Sequence, residues 1–161
     1  MATRPPPSEH LDPRARTLWR LSGLLQAVPM AAIAIAAAAG AARFDLVPTP
    51  VAVALAAAVV ALSAVGVWPY PDLLWRQWRY EIGDVEVDIQ RGWLTTTRTL
   101  IPMARIQHVD TRRGPLQRRF GLTSVVLYTA AGASEIPALA DPVAAAARDR
   151  IAALANVQDD L

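Results

Sequence analysis

Two long runs of apolar residues fill most of the first half of the chain. No charged side chain occurs in residues 21–42 or in residues 46–71, and only Arg43, Phe44 and Asp45 separate the two runs. A helix needs about 20 residues to cross a hydrocarbon core of about 30 Å, whereas a helix of a soluble protein normally keeps one polar face. The pattern therefore predicts two membrane-spanning helices joined by a tight turn rather than a buried hairpin of a soluble protein.

The residues around the two runs predict how they sit in the membrane. Arginines flank both outer ends, at positions 14, 16 and 20 and at positions 76 and 79, while the turn has one arginine and one aspartate. Positive residues stay in the cytoplasm. We therefore expect a multi-pass protein of the inner cell membrane with both termini cytoplasmic. Ala32, Ala36 and Gly40 recur every four positions, a spacing that lets two helices approach closely in lipid.

The residues before the first span form a separate segment. Residues 1–17 are polar and proline-rich without apolar periodicity, which predicts a flexible cytoplasmic leader. A secretory signal peptide is the competing interpretation, but its apolar core would be too long and a second span follows at once. Residues 18–75 are then the transmembrane hairpin.

From Trp78 onward the apolar pattern changes to a period of two, which is typical of strands. Tyr80 and Ile82, then Val85, Val87 and Ile89, alternate with charged neighbours around a turn at Gly83 and Asp84. Further strands are predicted within Leu94–Ile101, Ile106–Arg113, Leu122–Thr129 and Ser134–Leu139, and a helical turn or tight loop within Leu116–Phe120. The sequence thus predicts five or six short antiparallel strands.

A helix is predicted to follow the last strand. Asp141 can cap it with Pro142 at its first position, and Val143, Ala147, Ile151 and Leu154 share one face as far as about Ala155. Residues 158–161 are expected to be a frayed tail. The fold class is therefore a membrane protein of the α+β type, in which residues 76–157 form a small antiparallel β-barrel or sandwich capped by a C-terminal α-helix.

Several short segments in the second half resemble a known family. In chain order they are Trp78–Tyr80, Gly92, Ile101–Pro102, Arg105–Gln107, Gly114–Leu116, Arg119–Leu122, Thr129–Ala130 and Ile136–Pro137. Together with the two preceding spans they resemble the membrane-anchored bacterial pleckstrin-homology (PH) proteins of the YdbS type, over about residues 14–155. The resemblance implies a PH-like fold of two packed sheets closed by a helix at the inner face of the membrane. Such proteins often occur alongside larger relatives with repeated domains.

One departure from PH proteins concerns phosphoinositides. Eukaryotic PH domains bind them through basic residues between the first two strands, whereas Glu81, Asp84 and Glu86 make that segment acidic here. The resemblance therefore assigns no inositol-phosphate ligands to this chain.

The sequence offers little catalytic chemistry. It has no cysteine and two histidines, His10 and His108. His108 and Asp110 share a strand face, but neither a nucleophile nor a third zinc ligand accompanies them, and no phosphate-binding glycine motif occurs. We expect no enzyme, no cofactor and no metal site.

Arginine is concentrated in one segment, which is the candidate binding surface. Residues 91–119 contain seven arginines and one acidic residue. The candidates for contact with lipid or a partner are Arg105, Arg112, Arg113, Arg118 and Arg119, of which the last four bracket the turn at Gly114 and should converge at one end of the barrel. The alternative is a solvated sheet face, with Arg105 in a structural ion pair.

These features favour a non-catalytic, membrane-anchored adaptor or scaffold that binds a protein partner or another copy of itself at the cytoplasmic surface. The alternative function is a sensor of anionic lipid headgroups that uses the arginine-rich turn. A transport subunit is disfavoured because neither span contains an ionisable residue. A nucleic-acid partner is not expected, since no base-reading motif is present.

Overall fold

The computed structural model describes residues 5–92 and 94–159. The chain divides into two compact units. The first, Arg16–Asp72, contains the two apolar runs, and we call it the hairpin unit. The second combines Met1–Ala15 with Leu73–Leu161, and we call it the β unit. Each unit is described by itself below.

Helices carry both apolar runs. The first helix is α1 (Arg14–Arg43), and the second run forms α2 (Thr49–Val67) and α3 (Pro69–Gln77), which are separated at Trp68. Pro69 and Pro71 follow this break directly, and a proline lacks the N–H that would continue the helical hydrogen bonds. Large apolar side chains point outward along α1 and α2, as for Leu62 at 72% exposure. Both helical runs are long and apolar enough to cross a membrane.

The connection between α1 and α2 is a short turn built on backbone hydrogen bonds. The amide of Leu46 donates to the carbonyl oxygen of Ala41 (2.9 Å), and Asp45 adopts a left-handed conformation with φ of 50°. This bond satisfies a carbonyl at the end of α1, as in common helix C-caps. The second helix begins at Thr49, three residues later than the predicted span.

The two apolar helices pack through other small residues than those predicted. Ala34, Ala38 and Ala41 of α1 line one groove with Ala52 and Ala56 of α2. Ala32 and Ala36 are exposed, and no atom lies within 4 Å of where a Cβ of Gly40 would stand. The prediction that these three residues form the packing stripe is therefore wrong. Alanine occurs on every side of α1, so spacing alone does not identify the packed face.

Seven strands and two helices make up the rest of the β unit. The strands are β1 (Glu9–His10), β2 (Arg79–Ile82), β3 (Glu86–Arg91), β4 (Thr97–Pro102), β5 (Ile106–Arg112), β6 (Leu122–Thr129) and β7 (Gly132–Ala140). The helices are α4 (Pro115–Phe120) and α5 (Asp141–Asp159), and a 3-10 turn covers Met103–Arg105. The strands form two antiparallel sheets in the orders β1-β2-β3-β4 and β5-β6-β7. The sheets form a PH-like sandwich and α5 packs against the second sheet, which confirms the predicted fold class.

The leader contributes a strand to the first sheet. Glu9 and His10 pair with Tyr80 and Arg79 of β2, and Leu11 is buried at 1% exposure. Burial, together with a hydrogen bond to Glu9, raises the pKa of Tyr80. The prediction of a flexible leader is wrong for these residues, because a two-residue strand is too short to show periodicity. Residues 1–4 of that leader lie outside the described residues.

The end of the leader caps the first helix. The Asp12 carboxylate accepts a hydrogen bond from the amide of Arg14 (2.8 Å), and Pro13 stands between them. An aspartate followed by proline is a helix-start signature, and the same pair begins α5 at Asp141 and Pro142. Hydrogen bonds from the Arg14 side chain hold the pKa of Asp12 below its usual range.

Three expectations about α5 and the first hairpin need correction. Val85 is 67% exposed and Val143 is 45% exposed, although both were predicted to lie on buried faces. The buried residues of α5 are Ala144, Ala147 and Ile151. The buried face therefore begins at Ala144 rather than at the predicted Val143. The helix continues to Asp159 rather than about Ala155, and Asp160 and Leu161 of the expected frayed tail lie outside the described residues.

Candidate functional site

Four of the five predicted arginines lie around α4. Arg112 ends β5, Arg113 follows it, and Arg118 and Arg119 are on the helix itself. The side chain of Gln117 holds the helix in place, since it accepts a hydrogen bond from the amide of Gly114 (2.8 Å) and donates to the hydroxyl of the buried Ser124 (2.9 Å). The helix ends at Gly121, whose φ of 63° suits glycine.

Arg113 has a structural partner. Its guanidinium forms an ion pair with the carboxylate of Asp141 (2.6 Å), which also accepts a hydrogen bond from the hydroxyl of Thr123 (2.8 Å). The amide of Asp141 donates to the carbonyl oxygen of Gly121 (3.2 Å). Asp141 therefore joins the start of α5 to the end of α4. The ion pair with Arg113 stabilises this connection.

Arg112 belongs to a small exposed cluster on β5 and β6. Its guanidinium carbon lies 5.8 Å from the centre of the Tyr128 ring and it donates a hydrogen bond to the Tyr128 hydroxyl. His108 stacks on the same ring with centroids 4.2 Å apart, and its Nε2 atom lies 4.0 Å from a carboxylate oxygen of Asp110. The expected pairing of His108 with Asp110 on one strand face is thus present. Both side chains are more than half exposed, which suits an ordinary surface pair.

Among the four candidates around α4, Arg118 and Arg119 are the two whose side chains have no hydrogen-bond or ion-pair partner within the described residues. Both are exposed, and within the described chain neither side chain forms an ion pair. The carbonyl oxygen of Arg118 accepts hydrogen bonds from Gly121 (3.3 Å) and from the side chain of Arg113 (3.5 Å), so only its backbone has a structural role. Their positive charges are therefore available to an external anion.

These two arginines lie at the end of the β unit from which the chain enters both apolar helices. The Arg14 guanidinium, at the start of α1, donates to the carbonyl oxygen of Phe120 in α4 (2.9 Å). Trp75, in α3, donates its ring N–H to the carbonyl oxygens of Leu11 (3.1 Å) and Asp12 (3.2 Å). The two chain segments that lead to α1 and from α3 therefore lie next to each other at this end of the β unit. We call this the exit end of the β unit.

Arg105 lies at the opposite end of the second sheet. It precedes the first residue of β5, whereas Arg112 is the last, and seven residues of strand span about 20 Å. Around it are Gln107 and the turn at Ala130 and Ala131. Within the described chain it has no ion pair, so the expected structural salt bridge is not observed. Arg105 therefore does not belong to the cluster around α4.

One charge contact inside the first sheet, between Asp88 and Arg98, is not predicted by the sequence pattern. Asp88 of β3 has only 4% of its side chain exposed. Its carboxylate accepts hydrogen bonds from Arg98 of β4, at 3.0 Å from Nε to each oxygen and at 2.5 Å from Nη2 to one of them. Arg98 also donates to the carbonyl oxygen of Pro5 (2.8 Å), which ties the leader to the sheet. Alternation had placed Asp88 on the exposed face. An arginine on the neighbouring strand was the available signal.

The described residues contain no cluster of three or more metal-ligating side chains.

Comparisons with known proteins agree with this architecture. A family described as bacterial PH domain matches residues 21–155. The UPF0699 transmembrane protein YdbS of Bacillus subtilis (strain 168) is 37% identical over 157 residues, which cover 98% of each chain. The UPF0699 transmembrane protein YdbT of the same organism is 30% identical over 94 residues, which cover 57% of this chain and 19% of that protein. No solved structure matches significantly.

Proposed function

Because this chain belongs to the bacterial PH domain family and carries two candidate membrane spans, we propose that it is a membrane-anchored adaptor without catalytic activity. Its β unit would capture a protein partner, or a second copy of the chain, at the cytoplasmic surface of the inner membrane. The observation that carries this proposal is the edge strand β5.

The outer edge of β5 is open in the described part of the chain. The strand pairs with β6 on one side and with no strand on the other, and five of its seven residues are exposed. An open edge can accept a strand from another protein, since the main chain supplies the hydrogen bonds. The His108, Asp110 and Arg112 side chains occupy every second position of β5 and so lie on one face of the strand. They would select a strand of complementary charge.

The other edges are less suited to this role. The leader strand β1 pairs with the edge of β2. The edge strand β7 contains Pro137, which lacks an N–H donor, and Ala138 in a left-handed conformation with φ of 51°. Proline and irregular backbone are features that discourage pairing at an edge. The edge strand β4 has two exposed residues of its six and ends at Pro102, and the edge strand β1 is two residues long. These contrasts leave β5 as the favoured docking edge.

The test is loss of partner capture when the edge is blocked. The full chain with Asp110→Pro or Thr111→Pro is extracted in mild detergent and examined by mass spectrometry for a protein present in stoichiometric amount. Successive N–H groups point to opposite edges of a strand, so we expect one proline to abolish capture in a folded, membrane-inserted protein. The other proline removes an N–H that donates to β6, so that variant loses a hydrogen bond inside the sheet.

Alanine at the same two positions keeps both backbone donors and serves as the matched control. Capture should survive Thr111→Ala. Asp110→Ala removes one of the selecting charges but no backbone donor, so it should weaken capture without abolishing it. If both proline variants fold and still retain the partner, the β5 edge is not the docking surface.

A second candidate function rests on a different observation, the free charges of Arg118 and Arg119 at the exit end. Each arginine near an anionic leaflet contributes about 1 kcal/mol of attraction, which falls off within a Debye length. The two side chains would recognise anionic lipid headgroups next to the point where the chain enters its spans.

Retention of anionic lipid tests this second function. Arg118→Gln combined with Arg119→Gln should lower the anionic lipid that co-purifies with the full chain, and high salt should have the same effect on the wild type. Arg105→Gln is the matched control, because that side chain lies at the opposite end and should not matter. Equal loss of lipid in both variants would contradict a headgroup site at α4.

A further inference from the structure

The strand register of the first sheet identifies which of its loops lies at the end where the chain leaves for the apolar helices. His10, Arg79, Gln90 and Arg98 form one row across β1, β2, β3 and β4. The chain leaves β1 after His10 to begin α1, and it enters β2 at Arg79 two residues after α3 ends. Both routes to the apolar helices therefore pass through this end of the sheet, which is the exit end defined above.

One further connection lies at that end. This loop joins Arg91 of β3 to Thr97 of β4, and these two residues are paired in the sheet. Since β4 is the second strand from β2, the far side of the loop lies about 10 Å from Arg79. Its described residues are Gly92 and residues 94–96. The opposite turn, Gly83–Val85, is separated from it by the six residues of β3, about 20 Å.

The described residues of this loop include a glycine that no other residue can replace and an exposed apolar side chain. Gly92 has φ of 111°, and a Cβ at this position would lie 2.0 Å from the carbonyl oxygen of Thr95, so only glycine fits. Leu94 is 82% exposed, the largest value among the exposed apolar side chains of the described β unit. Burial of such a side chain from water is favourable wherever an apolar phase is within reach.

We infer that Leu94 inserts into the interface of the bilayer in which the protein is anchored and fixes the exit end of the β unit against it. Two covalent connections already hold this end at the membrane, so the loop needs to move little to reach lipid. Arg91, exposed beside the loop, can remain at the headgroup level while the leucine enters the acyl boundary. This contact is apolar, so it is distinct from headgroup recognition by Arg118 and Arg119 and from partner capture at β5.

Depth measurements on the full chain test the inference. Because the sequence has no cysteine, Leu94→Cys and Val85→Cys each create a single position for an environment-sensitive fluorophore. Val85 is the matched control, since it is also an exposed apolar residue but lies in the opposite turn. In nanodiscs of neutral phosphatidylcholine, the label at position 94 should emit at shorter wavelength and be quenched several-fold more by nitroxide-labelled lipid than the label at position 85.

A measurement without a label guards against insertion driven by the fluorophore. Leu94→Asp should increase hydrogen exchange in residues 91–98 of the nanodisc-bound chain, and Val85→Asp should leave that segment unchanged. Equal quenching at both positions, or unchanged exchange in Leu94→Asp, would overturn the inference. Quenching that occurs only with anionic lipid would also overturn it, because charge rather than Leu94 would then hold the domain on the membrane.

Discussion

At the scale of single residues, the ion pair of Asp88 and Arg98 is the buried charge contact that joins the neighbouring strands β3 and β4. Removal of one partner of a buried pair costs about 3–5 kcal/mol because it leaves the other charge without compensation. Arg98 keeps 26% of its side chain exposed and can turn its guanidinium to water, so we expect Asp88→Ala to lower the free energy of unfolding by less than that range. Thermal unfolding of the detergent-solubilised full chain, followed by near-ultraviolet circular dichroism, measures the loss.

The control for this prediction is a double-mutant cycle with Arg98→Ala. Side chains in direct contact show coupling, so the double variant should lose clearly less stability than the sum of the two single variants. Additive losses would mean that the pair contributes nothing beyond its separate side chains. Arg98→Ala alone should also loosen residues 5–10, because its guanidinium binds the carbonyl oxygen of Pro5.

At the scale of secondary-structure elements, the close approach of α1 and α2 at Gly23 is the feature most open to test. A Cβ at Gly23 would lie 3.4 Å from a methyl group of Val67 and 3.5 Å from its Cα. An alanine would make ordinary contact there, whereas a leucine would force the helices apart. Overpacking of this kind costs about 1–3 kcal/mol.

We therefore expect Gly23→Leu to destabilise the hairpin unit and Gly23→Ala to be tolerated. Gly40→Leu is the matched control on the same helix, because no atom lies within 4 Å of the position of its Cβ. All three variants gain helix propensity, so a lower melting temperature in Gly23→Leu alone isolates the contact with Val67. Equal melting temperatures for the two leucine variants would show that the helices do not pack closely at Gly23.

At the scale of the whole molecule, orientation across the membrane is the prediction with the widest consequences. Arginines flank the outer ends of the two apolar runs, and the turn around Asp45 lies between the spans. A single cysteine placed at Phe44 should react with a membrane-impermeant reagent in intact cells, and one at Thr97 should react only after lysis. Labelling of Thr97→Cys from outside would reverse the orientation and remove the cytoplasmic setting of the proposed adaptor.

The sequence by itself determined the elements whose signals are local. The absence of charge from residues 21–42 and 46–71 predicted both apolar helices, because a lipid-exposed surface permits no polar face. The prediction of a strand at Leu122–Thr129 matches β6 residue for residue, and the helix expected after Asp141 is α5. In each case, neighbouring residues contain the whole pattern, and period and composition are enough to read it.

The tertiary structure alone decided the features that depend on partners far along the chain. Arg98 reaches Pro5 across 93 positions, and Arg14 reaches Phe120 across 106. Folding also pairs the leader with β2 and engages Arg113 with Asp141, while Arg118 and Arg119 have no charged partner among the described residues. A charge has no fixed role in a local pattern, because its energy depends on which opposite charge the folded chain brings within about 3 Å.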